Sequence, residues 1–358
     1  MNGLMKPDCP SRTSASHGGQ PAWRWLRRIA PWLLAGLVFG LVLRQAAGFD
    51  WPAVRLALAG LPWSLLAGAA ALAVAGHAAF ASYDLVARRV IGHRAPAIRS
   101  ALIGVVGYAL NLNFGALIGG VAIRLRLYRR AGLPLAQAGA VVAGGMLANW
   151  CGWAALLAGA LLWAQPLPWP GDGLAPTGAW RLAIALLALA LPALVLLACA
   201  RRAGQPLPTW RRLPLLSTLR FPTLAEAGLW LVLAMLSWAL ASTVVWLLLQ
   251  DALPWWPVAG AMLLAAIAGV ITHVPAGLGV LEAVMLTTLG GAVPPPTLLA
   301  ALLAYRAVYY VLPLAAALVG YVVLESMPAR VAMDPRRKTD SDATAALTGS
   351  ATGVQLQS

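Results

Sequence analysis

The chain has 358 residues, 61% hydrophobic and only 10% charged, with a mean hydropathy of +0.77. A soluble domain carries about 25% charged residues, so a soluble fold is excluded and an all-α polytopic membrane protein is expected. The net charge of +15 would suggest nucleic acid in a soluble protein, but here the basic residues stand between apolar runs. In that setting they set topology and meet anionic headgroups.

Residues 1–28 read as a disordered basic tail, and the membrane domain spans 29–325. Trp23-Arg24-Trp25-Leu26-Arg27-Arg28 leads into the apolar run 29–49, which has the basic flank and length of a signal anchor. Residues 61–86 form the next span, with His77, Tyr83 and Asp84 on it and Arg88, Arg89, Arg94 and Arg99 after it. His77 and Asp84 are two helical turns apart and share a face, and Arg88 stands four residues beyond Asp84 as its nearest partner.

Residues 101–121 are apolar but interrupted by Gly107, Asn111, Asn113, Gly115, Gly119 and Gly120, and Arg124, Arg126, Arg129 and Arg130 follow. Basic clusters on both flanks of so short a segment predict a re-entrant hairpin with both ends cytoplasmic and its tip at 111–115. Further spans are expected at 134–163, 180–200, 224–249 and 297–324, with an outside loop at 165–178 and a basic loop at 201–220. A second broken hairpin is expected over 256–291, entering from the other side. A basic, low-complexity tail, 326–358, reads as disordered. This arrangement gives six full spans, two broken hairpins and both termini inside. It places 22 of the 26 basic residues on the cytoplasmic side. Two apolar, glycine-interrupted segments that enter from opposite faces point to an inverted repeat with a site between its halves.

The second break carries the chemistry. In Thr272-His273-Val274-Pro275-Ala276-Gly277-Leu278-Gly279-Val280-Leu281-Glu282, Pro275 removes a backbone donor while Gly277 and Gly279 permit a turn. A helix broken here frees backbone polar groups, which at membrane depth require protein or water to receive them. Glu282 opens the next helix, and Arg306 lies inside the last span among Tyr305, Tyr309 and Tyr310. A guanidinium at that depth needs a partner. Glu282 is the local one, and a lipid phosphate is another, because arginine can hold it with two parallel hydrogen bonds. A fixed ion pair that holds the hairpin to the last span is the competing reading. His273 has the chemistry to exchange a proton near neutral pH or simply to bond a backbone carbonyl. Asn111 and Asn113 either satisfy the first break or touch a headgroup. Arg124 and Arg126 stand at i and i+2 and so cannot share a helix face, which leaves at most one to point inward. The three scattered cysteines form no disulfide framework or metal spacing, and no cofactor motif is present.

Three stretches resemble signatures of the lysylphosphatidylglycerol synthase transmembrane-region family, of the MprF flippase-half and YbhN-like type. They are Tyr108-Ala109-Leu110-Asn111-Leu112-Asn113-Phe114-Gly115 running on to Tyr128, then 274–282, then Ala304-Tyr305-Arg306-Ala307-Val308-Tyr309-Tyr310-Val311-Leu312-Pro313. Ala276 stands where the family often has a second glycine, which makes the turn stiffer. On this resemblance the chain is expected to lack the soluble aminoacyltransferase domain of the bifunctional members. The resemblance implies a bacterial inner-membrane protein that flips or transports a lipid, an anionic phospholipid or a polyprenyl-linked lipid, without aminoacylating it. It implies membrane lipids as partners, with a lipid-synthesis enzyme as a further one, and no nucleic acid. The alternatives are a non-transporting accessory protein and a membrane-embedded transferase of lipid or envelope biosynthesis.

Overall fold

The computed structural model describes residues 50–163, 178–206 and 219–328. The expected first span at 29–49, both tails and nearly all of the outside loop lie outside the described residues. Among the described residues every regular element is helical, apart from one isolated bridge between Pro206 and Arg220. Seven helices are long and apolar enough to cross a membrane. Five are expected full spans, and two are the outgoing arms of the expected hairpins.

Helix α1 is Trp51–Ala59, capped by the Asp50 carboxylate on the Ala53 amide. Helix α2, Trp63–Ile91, ends where Gly92 turns left-handed behind Arg88 and Arg89. Helix α3, Ala97–Phe114, starts after Pro96 and stops at Gly115. A π-helical stretch, Ala116–Ile123, then leads into α4, Arg124–Arg130. Helices α5, Leu135–Trp163, and α6, Gly178–Arg202, follow. Helix α7, Leu224–Leu248, opens with a capping box in which Thr223 and Glu226 satisfy each other's amides. Helix α8, Trp255–Thr272, breaks into a single 3-10 turn at Pro275–Gly277, and α9, Val280–Leu289, resumes. The last span is continuous but changes pitch: α10, Pro295–Tyr305, a π-helical stretch, Arg306–Val311, and α11, Leu312–Ser326. Pro313 explains the change, because it cannot donate to the carbonyl four residues back.

Both broken segments double back. In the first, a β-carbon on Gly119 would overlap the Leu110 carbonyl, and one on Gly120 would touch the Asn111 side chain. At its foot an Arg99 guanidinium nitrogen lies 3.5 Å from the Arg130 carbonyl. The return arm therefore lies antiparallel along α3 from tip to foot. In the second, α9 packs back on α8. Each outgoing arm has 18 residues. At 1.5 Å per residue that is about 27 Å, close to the ~30 Å of the hydrocarbon layer.

The element order span, hairpin, span occurs twice, as α2, hairpin, α5 and as α7, hairpin, α10 to α11. The first spans of the two units run antiparallel. Trp230 donates to the Tyr83 carbonyl at 3.0 Å, Ser237 to the Gly76 carbonyl at 3.5 Å, and Gly68 faces Leu247. The opening helices of the two units thus point in opposite directions.

Candidate functional site at the junction of two broken helices

The second break is built from residues that cannot continue a helix. His273, Ala276, Gly277 and Gly279 have φ of 55°, 55°, 56° and 76°, all left-handed. Pro275 opens the single 3-10 turn between them. Carbonyls turned out of the helix ladder here need donors, and Arg306 supplies them. Its Nη1 donates to the Ala276 carbonyl at 3.0 Å and its Nη2 to the Gly277 carbonyl at 3.0 Å. Its Nε and Nη2 also bond the two oxygens of Glu282, the second at 3.0 Å. Glu282 in turn accepts the Gly279 amide at 2.9 Å and so caps α9. The Tyr310 ring lies 5.4 Å from the guanidinium carbon. One arginine therefore locks the turn, the cap and the last span together. The pairing of Glu282 with Arg306 is the one the sequence suggested; the two carbonyls are an addition.

The tip of the first hairpin meets this assembly, because α3 packs against the 275–277 turn. Asn113 donates to the Ala109 carbonyl at 2.8 Å and to the Tyr310 carbonyl at 3.4 Å, bridging the first break to the π-helical stretch of the last span. The Asn111 carbonyl accepts the Gly115 amide at 2.9 Å. Tyr108 and Tyr309 join their hydroxyls at 3.2 Å, Tyr305 stacks on Tyr309, and the His77 ring packs between Tyr108 and Tyr309. His77 also bonds the Ala73 carbonyl at 2.9 Å.

A second buried charge pair lies on the first hairpin. Arg124 and Asp84 are 2% and 0% exposed and bonded to each other. Asp84 also accepts the Tyr128 hydroxyl at 2.6 Å. The expectation that Asp84 meets Arg88 is corrected: Arg88 donates to the Ala95 carbonyl at 2.8 Å instead. Asp84 is fully buried, and the cation that reaches it comes from the returning arm. Arg126 points outward, 65% exposed, and pairs with Glu325 at 3.0 Å. Of the two arginines one is inside, as their spacing requires. His273 is exposed and its Nδ1 bonds the Ile271 carbonyl at 3.0 Å, the local use rather than a charge partnership. In the connection before α3, burial and the neighbouring Arg88 push the His93 pKa down to about 4.

Residues 29–317 match the Lysylphosphatidylglycerol synthase TM region. The chain belongs to the lysylphosphatidylglycerol synthase transmembrane-region family. It is similar to "Inner membrane protein YbhN" of Escherichia coli (strain K12), 34% identical over 87% of this chain and 96% of that one. It is also similar to an uncharacterized protein of Synechocystis sp., 30% identical over 90% of this chain and 99% of that one. Within this family frame the three signatures fall on the two breaks and on the turn of the last span that clamps them. The sequence did not reveal that Asp84 and Tyr128 meet around Arg124, or that Tyr108 reaches Tyr309. The available signal was an aspartate inside an apolar span, with two tyrosines at the ends of the first signature.

Proposed function

We propose that the chain binds the charged headgroup of a membrane lipid where the two breaks meet, and carries that lipid across a bacterial inner membrane with both termini cytoplasmic. The observation that carries this reading is Arg306 gripping both Glu282 and the freed carbonyls of Ala276 and Gly277. A lipid phosphate presents the same paired oxygens as Glu282 and can take its place on the guanidinium. That exchange loosens the carbonyl contacts with it, so binding and unlocking of the second hairpin become one event. Pro275, Gly277 and Gly279 shape the turn that moves; Tyr305 and Tyr309 hold the arginine's helix against the first hairpin. Asn111, Asn113 and the inward Arg124 fix the first hairpin as the opposing wall. His273 and Arg126 lie at the margins of this site. The family and the inner-membrane relative support a lipid-handling role.

The test is lipid movement in proteoliposomes containing labelled phosphatidylglycerol or a labelled polyprenyl phosphate. Wild type should move one of them, and Glu282→Gln and Arg306→Gln should not, while both variants still elute as folded protein. Movement at the wild-type rate in both variants would overturn the assignment. A lipid recovered chemically altered would favour the transferase reading instead.

A further inference from the structure

Away from the two breaks, a cleft of about 550 Å³ opens between α5, α6 and the start of α7. Its walls are apolar along their length, including Ala143, Leu147, Val195, Leu196 and Leu231, and Cys151 and Cys199 stand on facing helices. All three helices are long and apolar enough to cross the membrane. At one end the chemistry changes. Arg220 sits at the rim, held by the bridge to Pro206 and by bonds between Gln205, Gly204 and Phe221. Arg220 bonds both oxygens of Glu226, at 3.0 and 2.8 Å. Arg201 and Arg202 end α6 beside it, with Arg202 lying over Phe221 at 5.8 Å. Among the described residues, three arginines and one carboxylate stand at this mouth, and only Arg220 is bonded to the carboxylate.

We infer that this cleft seats one acyl chain of an anionic glycerophospholipid, whose phosphate is held at the mouth by Arg220. This cleft is separate from the hairpin site, with no lining residue in either break. An acyl chain leaving bulk lipid gains no hydrophobic free energy, because lipid tails are as apolar as leucine. Selection must therefore come from the mouth. The guanidinium that now holds Glu226 with two bonds presents the same fork to a phosphate, and Arg201 and Arg202 leave the rim positive after that exchange. The occupant is thus charged at one end and apolar along the rest.

The cleft can be filled without touching these charges. A β-carbon on Gly139, which lines the cleft, meets nothing within 4 Å, so Gly139→Leu adds bulk into open space. The experiment uses full-length protein in nanodiscs of mixed phosphatidylglycerol and phosphatidylcholine, extracted gently and weighed intact for retained lipid. Wild type should retain one phosphatidylglycerol, and Gly139→Leu should lose it. Arg220→Gln should reduce the preference for phosphatidylglycerol about tenfold, while Glu226→Gln, which frees the arginine, should raise it. Equal retention in Gly139→Leu, or the same change in both mouth variants, would overturn the proposal.

Discussion

Gly107 and the Arg124 side chain occupy one narrow passage: a β-carbon at position 107 would overlap Cγ and Cδ of Arg124. The arginine reaches Asp84 only because that passage is empty. Gly107→Val should therefore displace the guanidinium and leave Asp84 buried with a hydroxyl as its remaining partner. Breaking a buried ion pair from one side costs about 3–5 kcal/mol. Thermal unfolding in detergent should show Gly107→Val and Asp84→Ala losing stability together, with the double variant little worse than either.

The outward arginine gives the contrast. Arg126 pairs with Glu325 in a solvent-accessible setting, where such a pair is worth about 0–1 kcal/mol. Arg126→Gln should unfold within a degree or two of wild type, whereas Arg124→Gln should fall by many degrees. Equal losses would show that the two residues do not differ in the way their burial requires.

Ala276 holds φ of 55° in the second break. A left-handed backbone costs a residue with a β-carbon about 1–2 kcal/mol. Ala276→Gly removes that strain but also loosens the unfolded chain, so a gain of about 0.5–1 kcal/mol is expected. The same change should quicken opening of the turn, seen as faster hydrogen exchange at residues 273–280. Lower stability in the glycine variant would mean that the β-carbon makes a contact worth more than the strain.

His93 supplies a pH dependence. Burial and Arg88 hold its pKa near 4, below the ordinary 6.5. Between those values the unfolded chain binds the proton and the folded chain does not, so folding loses stability as pH falls from 6.5 toward 4 and is unaffected above that window. His93→Phe, which keeps a ring beside Tyr128, should flatten the fall in Tm between pH 7.5 and pH 5. An identical slope in the variant would place the titrating group elsewhere.

The spans were legible because apolar runs and arginine clusters are one-dimensional signals. Both breaks were legible too, since proline, glycine and asparagine in an apolar run state where a helix ladder fails. Glu282 and Arg306 could be paired because a short connection brings their helices together. Asp84 could not be paired with Arg124, because that contact depends on the first hairpin folding back over α2, and sequence proximity favoured Arg88 instead. The apolar cleft was illegible for another reason. Alanine, glycine and leucine on a span read the same whether they face a neighbouring helix, the bilayer or a gap.

Helix α6 is the most apolar of the span-length helices and the least covered, with a mean hydropathy of 2.8 and 17% of its window buried. It belongs to neither of the two matching units, yet without it α7 would start from the other end of the molecule and run alongside α2 in the same sense. Both hairpins would then share one doorway. A single extra crossing acts as a parity element: it gives one architectural module two opposite outlooks, and any splice or fusion that keeps that opposition must keep the count of crossings between the modules odd.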